Sequence, residues 1–314
     1  MLGSNERKGS RPALVLGGGG GFGVVQAAYI QAAHELGFRP KVVVGTSVGA
    51  LNGAWVAMHP DEPEGLVQVW GKLHHQRLLR LNPLQLAGRI ARRGGGICAN
   101  ELVPKLIAAH IRDTRIEDTE LELGVAATNL SQGRKHVFRS GRLADAVLAS
   151  TAIPGVFDPV LIGGHLYVDG GVTAPLDFAS AVEMCATEIL AIDLTPTYVP
   201  QSKPRTAIGV LARSMAILAH STTDATLAFV ERELPTRMLR PDLSRHSAWR
   251  VGVTDDDLQL CLREARAALR TALDVNGHVV PLTGAAAAVE AEAATRTSAP
   301  KLRMRRAPWL GQAS

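Results

Sequence analysis

The sequence lacks several features that would have decided its class early. It has no run of about 18 apolar residues, so no membrane-spanning helix is expected. The stretch from Met1 to Pro12 is polar and charged and leads directly into Leu14-Val15-Leu16 and a glycine run. An apolar signal core and a cleavage site are missing there, which points to a cytoplasmic chain. Cysteine is scarce: Cys98, Cys185 and Cys261 are widely spaced and odd in number. They fit neither a disulfide framework nor a metal site and read as free thiols in a reducing compartment. No metal-ligand spacing and no internal repeat appear. The basic residues are not interleaved with aromatics, which argues against a nucleic-acid binder.

What is present fits a globular protein with a sizeable core: 314 residues, 46% hydrophobic and 20% charged. One large α/β domain of this length is the default. A net charge of +5, scattered along the chain, is either a solvated basic surface or a surface suited to anionic phospholipid headgroups.

Pro12 to Leu16 reads as a buried strand ending in Gly17–Gly21, and Phe22 to Leu36 as a helix stopped by Gly37. Lys41 to Val44 is a second, β-branched strand that turns through Gly45-Thr46-Ser47 into a helix over Val48–Met58. Two strand–glycine–helix units in succession indicate a parallel sheet covered by helices on both faces. Residues 62–112 are expected to be mostly helical, broken at Gly94-Gly95-Gly96, with Leu78, Leu79, Leu81, Leu84, Leu86 and Ile90 either packing a core or lining an acyl channel. Strands are expected at Glu120–Thr128, Arg134–Phe138 and Ile189–Leu194, with a hairpin of Leu161-Ile162 and Leu166–Val168 around Gly163-Gly164. Helices are expected over Thr206–Glu233 and Asp255–Leu273. A domain over residues 10–282 then gives way to a low-complexity tail, 283–314, expected to be disordered. Its basic cluster Lys301–Leu310, with Trp309, also suits contact with an anionic membrane surface.

Gly45-Thr46-Ser47-Val48-Gly49 fits G-x-S-x-G between a strand and a helix, the context of a nucleophile elbow. Gly45 and Gly49 relieve crowding around the turn, and the Ser47 hydroxyl projects at the positive end of the following helix. The run from Gly17 to Gly23, interrupted only by Phe22, lets backbone N–H groups converge on one point, either as an oxyanion hole or as a dinucleotide phosphate cradle. The dinucleotide reading needs an acid closing the second strand, and that strand ends instead in Gly-Thr-Ser. A serine also needs a base. Of the histidines after Ser47, only His165 lies near a strand end, while His220, His246 and His278 are the candidates for a conventional Ser–His–Asp triad. Asp169 differs from all of them: it follows an apolar strand and precedes Gly170-Gly171, so it can approach another loop closely.

The glycine loop after the first strand, Gly-Thr-Ser-Val-Gly after the second and the later Asp-Gly-Gly together resemble the patatin-like phospholipase family. Gly49-Ala50-Leu51-Asn52-Gly53 and the stretch Ser150–Val160 resemble it too. The resemblance runs from Pro12 to Leu194 and more loosely to about residue 275. It implies a three-layer α/β/α fold and a Ser47–Asp169 dyad that needs no histidine. It further implies an oxyanion hole at Gly18, Gly19, Gly20 and Gly21, supporting roles for Gly170 and Gly171, an acyl–serine intermediate, a lipid ester substrate, and neither metal nor organic cofactor. One position departs from the family pattern: Phe22 stands where many members carry arginine. Phe22 either packs at the helix start or marks a weakened, lipid-binding member.

Overall fold

Alternate residues of the central strands belong to different cores. On β1 (Pro12–Leu16), Leu14 and Leu16 pack into one apolar cluster, whereas Ala13 and Val15 pack into another. On β2 (Val42–Thr46), Val43 joins the first and Val42 and Val44 the second. This period-two alternation, with every residue of both strands buried, marks a sheet covered on both faces. The computed structural model describes residues 9–73, 76–77, 102–195, 206–248, 250–251 and 253–281. Within them the fold is the expected three-layer α/β/α sandwich.

The remaining strands are β3 (Gln76–Arg77), β4 (Glu122–Asn129), β5 (Arg134–Phe138), β6 (Val160–Ile162), β7 (His165–Asp169), β8 (Glu188–Ile192), β9 (Thr236–Leu239) and β10 (Arg250–Val251). The main sheet runs β6-β7-β4-β2-β1-β8-β9, with β5 also paired to β4. The strands β4, β2, β1, β8 and β9 are parallel, while β5, β6 and β7 add an antiparallel edge. On one face lie α1 (Gly23–Glu35), α2 (Val48–Met58), α3 (Pro63–Gly71), α4 (Leu102–Leu106), α5 (Leu143–Ser150) and α8 (Asp255–Ala272). The opposite face is covered by α6 (Phe178–Glu183) and the end of α7 (Ala207–Val230).

Several expectations need correction. Within residues 62–112, expected to be mostly helical, β3 pairs antiparallel with β10, and Ile107–Ile111 forms a π-helical turn. Leu78, Leu79, Leu81, Leu84, Leu86, Ile90, the glycines 94–96, Cys98 and the tail 283–314 lie outside the described residues. The expected strand at Lys41–Val44 runs instead over Val42–Thr46, paired with β1 as far as Gly45 and with β4 as far as Thr46. The expected strand at Ile189–Leu194 ends at Ile192, where the Ile192 carbonyl accepts from Gly17. Strand β9 and helices α5 and α6 add to the elements expected from the sequence. Cys185 is exposed and Cys261 buried, both as free thiols.

One buried polar network fastens the first three helices to the strand ends. Trp70 Nε1 donates to Asn52 Oδ1 at 2.8 Å, and Asn52 Nδ2 donates to the Gly23 carbonyl and to Gln26 Oε1, both at 3.0 Å. Gln26 Nε2 in turn donates to the Gly17 carbonyl at 3.2 Å. Both Gln26 and Asn52 are fully buried, so each of these groups depends on the others for a partner. Replacing Asn52 by leucine leaves the Trp70 N–H and the Gln26 carbonyl oxygen without partners. The Asn52→Leu protein is expected to lose about 2–4 kcal/mol of stability, read by urea denaturation.

Candidate active site

Three loops meet at the C-terminal ends of the parallel strands. The first is Gly17–Gly19 after β1, continuing into the 3-10 turn Gly20–Phe22. The second is the turn from β2 into α2, where Ser47 has φ 56° and ψ −124°. This positive φ is rare for a residue with a side chain and is held only when its surroundings over-determine it. Gly45 and Gly49 make the turn possible: a Cβ at Gly45 would lie 2.3 Å from the Gly49 carbonyl oxygen, and one at Gly49 would lie 2.2 Å from the Leu16 carbonyl oxygen. The third loop is the 3-10 turn Gly170–Val172 after β7, entered through Asp169.

The structure brings Ser47 and Asp169 together. Ser47 Oγ donates to Asp169 Oδ2 at 2.6 Å, and the pair is nearly closed off from water, at 7% and 6% exposure. The other carboxylate oxygen, Oδ1, accepts from the Gly171 N–H at 2.7 Å. Gly170 lets the chain leave Asp169 across β4, since a Cβ there would lie 2.3 Å from the Ala126 carbonyl oxygen. Burial pushes the Asp169 carboxyl up from 3.8 to about 6, against the opposing hydrogen bonds from Ser47 and Gly171.

The histidine candidates His246 and His278 have other partners. His246 Nε2 is 3.6 Å from Cys261 Sγ, and His278 Nδ1 is 2.8 Å from Glu188. His165 begins β7 at the hairpin turn, four residues before Asp169. Among the described residues, Asp169 has Ser47 and Gly171 as the hydrogen-bonding partners of its carboxylate.

The glycine loop lies against the serine: a Cβ at Gly18 would be 3.1 Å from Ser47 Cβ. Its four amides are not equivalent. Gly18 N–H donates to the Pro175 carbonyl at 3.3 Å and Gly21 N–H to the Ala248 carbonyl at 2.7 Å, whereas the described hydrogen bonds use neither Gly19 N–H nor Gly20 N–H. Among the described hydrogen bonds, the amides of Gly18 and Gly21 are thus already engaged. Phe22 is buried in the core at the start of α1. The described part of the proposed acyl-channel region forms a small apolar crevice of about 20 Å³. Leu51, Trp55, Leu66 and Leu106 are among its lining residues, and neither Ser47 nor Asp169 is.

Ser150 joins the site from the end of α5. Its Oγ accepts the Ser47 N–H at 2.8 Å and donates to the Ala126 carbonyl at 2.6 Å, with no exposure to solvent. The only sequence signal was its membership of the stretch Ser150–Val160. Thr46 Oγ1 donates to the Ala174 carbonyl at 2.8 Å, and Thr128 Oγ1 to the Asp169 carbonyl at 3.0 Å.

Two outcomes follow from this geometry. Ser150→Ala removes the acceptor of a buried N–H and is expected to lower stability by about 1–3 kcal/mol, read by thermal or urea unfolding. Asp169 contributes stability in its protonated form below its unfolded value of 3.8, and this is lost as pH rises to about 6, because the folded state holds the proton longer. Asp169→Asn is therefore expected to be more stable than wild type at neutral pH, by on the order of 2–3 kcal/mol. It should also lose the wild-type decline in stability between pH 4 and pH 6, seen in paired denaturation curves across that window.

A profile of the family described as patatin-like phospholipase matches residues 14–182, a span that holds the glycine loop, Ser47 and Asp169. An uncharacterized NTE family protein of Mycobacterium tuberculosis is 32% identical over 186 residues, 59% of this chain and 49% of that protein. A lysophospholipase NTE1 of Phaeosphaeria nodorum is 29% identical over 181 residues, 58% of this chain and 12% of that protein. The mouse patatin-like phospholipase domain-containing protein 7 is 29% identical over 188 residues, 59% of this chain and 14% of that protein. The aligned region thus spans about half the length of the mycobacterial relative and far less of the other two. The family match covers more than half of the chain and the whole of the site, and the chain belongs to the patatin-like phospholipase family.

Proposed function

We propose that the protein hydrolyses carboxylic esters of lipids, with Ser47 as nucleophile and Asp169 as its base. The observation that carries this reading is the 2.6 Å hydrogen bond from the Ser47 hydroxyl to a carboxylate kept out of water. A carboxylate in water is too weak a base to help a serine near neutral pH. Desolvation that raises Asp169 to about 6 brings it into the range where it can take and return a proton.

In the first half-reaction, Ser47 Oγ attacks the ester carbonyl carbon while its proton passes to Asp169. The carbonyl oxygen becomes an oxyanion, and the amides of Gly19 and Gly20 are the donors we assign to it, with Gly18 keeping backbone close to the nucleophile. Collapse of the tetrahedral species breaks the ester C–O bond, and the alcohol leaves with the proton held by Asp169. Water then attacks the acyl–Ser47 ester, Asp169 accepts its proton, and the fatty acid departs as Ser47 recovers a proton. The N-terminus of α2, which begins at Val48, adds a partial positive charge beside the developing oxyanion. Lipid as the substrate class is supported by family membership, and a relative named as a lysophospholipase makes single-chain phospholipids the first panel to test.

A fluorophosphonate probe is expected to label wild type and not Ser47→Ala. Ester turnover should fall by roughly 10³–10⁶-fold in Ser47→Ala and in Asp169→Asn, as for groups acting as one unit. In wild type, kcat/KM should decline tenfold per pH unit below about 6 as Asp169 takes up its proton. Near wild-type turnover in Asp169→Asn would remove the carboxylate from the mechanism.

A further inference from the structure

Strand register fixes the surface that surrounds the mouth of the site. Thr46 pairs with Ala126 on β4, and Ala127 pairs with Asp169 on β7, so Ser47 and Asp169 stand at one level of the sheet. Leu166 precedes Asp169 by three residues on an antiparallel strand. At roughly 3.3 Å per residue it lies about 10 Å beyond that level, past the C-terminal ends of the parallel strands. Leu161 is its cross-strand partner, and the Leu130 N–H donates to the Leu166 carbonyl at 2.8 Å. All three leucines are exposed, on the two hairpins that overhang the site.

Helix α7 supplies the rest of the rim. Arg240, just after β9, bonds both Asp193 at the end of β8 and Asp224 of α7. Thirteen residues earlier, Leu211 Cδ2 comes within 3.7 Å of the Cβ position of Gly155. Gly155 lies in the loop that follows Ala152, whose carbonyl accepts the Asp169 N–H at 2.9 Å. Along this part of the helix Val210, Leu211, Ile217 and Leu218 are exposed, and their spacing places them on one stripe. Seven of the eleven large apolar side chains exposed among the described residues belong to the hairpins and this stripe.

The charge along the rim is mostly positive. Asn129–Arg139, Val160–Val168 and Ala207–Thr223 contain no aspartate or glutamate, but carry Arg134, Lys135, Arg139 and Arg213. Lys135 is paired with Asp177 and Arg139 with Glu122, and Asp158 is the one carboxylate between Gly155 and Val168. Clustered exposed apolar side chains flanked by basic groups suit the headgroup–acyl boundary of an anionic membrane.

We propose that this rim is the docking surface for an anionic lipid bilayer, with the hairpin leucines and the α7 stripe inserted at the interface. The inference rests on the hydrolase reading in assigning a purpose to docking: an acyl ester passes from the membrane to Ser47 without crossing bulk water. The binding itself is independent of turnover and is measured separately.

The test uses the full chain and two paired variants, Leu161→Ser with Leu166→Ser and Ile217→Ser with Leu218→Ser. Phe229→Ser, another exposed apolar residue, at the far end of α7, is the control. Binding is read by co-sedimentation with vesicles of phosphatidylcholine and phosphatidylglycerol in equal amounts. Turnover is read on the same vesicles and on a water-soluble short-chain nitrophenyl ester, and thermal melting reports folding. Each pair is expected to lower vesicle binding and vesicle-lipid turnover on the order of tenfold, with hydrolysis of the soluble ester and the melting temperature unchanged. Phe229→Ser should behave as wild type, and pure phosphatidylcholine vesicles should bind wild type more weakly. Wild-type binding by folded rim variants, an equal loss in Phe229→Ser, or equal binding to neutral and anionic vesicles would each overturn the proposal. Vesicle binding that depends on the rim in a protein with no turnover on either substrate would instead retain the docking surface and reject the hydrolase reading.

Discussion

The buried hydrogen bond between Ser47 and Asp169 spans two strand spacings, and β4, lying between β2 and β7, acts as its ruler. Each partner is indexed to that strand by contacts other than the hydrogen bond itself. On the serine side, the Ser47 amide reaches the Ala126 carbonyl through the Ser150 hydroxyl. On the aspartate side, Asp169 is in register with Ala127, its carbonyl accepts from Thr128, and Gly170 passes close over Ala126. Three consecutive residues of β4 thus hold both ends of a 2.6 Å contact. Because register is set by ladder bonds, a slip of one residue would turn Asp169 to the opposite face and abolish the pair.

Both ends of this contact are unfavourable in isolation, which is why so much surrounding structure is fixed. Ser47 holds a positive φ, worth on the order of 1–3 kcal/mol of strain, and Asp169 resists ionisation because water is excluded. The sheet supplies one constraint through β4. The Gln26–Asn52–Trp70 network supplies the other, tying the glycine loop at Gly17 and Gly23 to helix α2 directly behind the serine. Removal of a polar group from either set leaves another buried group without a partner, so the two act as closed systems.

The parts readable from sequence are those whose information is local. The Val48–Met58 helix and the Arg134–Phe138 strand match their expected limits, because periodicity and flanking glycines specify them within a few residues. The meeting of Ser47 with Asp169 is implied by the family resemblance that three separated motifs carry together, none of them sufficient alone. What escaped the reading depends on partners remote in the chain. Ser150 looks like any helix-end serine until the fold carries it to Ser47, 103 residues away. The unequal amides of the glycine loop depend on the carbonyls of Pro175 and Ala248, which no pattern within the loop encodes. Strand β9, Thr236–Leu239, has four residues and no alternation, and its place at the sheet edge comes from pairing with β8. The neighbourhood of Gln76–Arg77 has helical spacing, and tertiary pairing with β10 overrides that preference.

The dryness of the site also gives its charges a direction. Among the described residues, two hydrogen-bond donors, the Ser47 hydroxyl and the Gly171 N–H, hold the Asp169 carboxylate. One of these, the Ser47 hydroxyl, leaves as a donor at the moment the serine becomes a nucleophile. In the proposed mechanism, proton transfer then converts a poorly solvated carboxylate into a neutral acid and moves the negative charge toward the glycine loop and the N-terminus of α2. Lower dielectric strengthens both parts of that shift, because it penalises the carboxylate and increases the attraction between backbone dipoles and the oxyanion. An acyl chain arriving over an apolar rim would exclude more water than a soluble ester does. On this argument the substrate itself completes the low-dielectric environment that the Ser47–Asp169 pair requires.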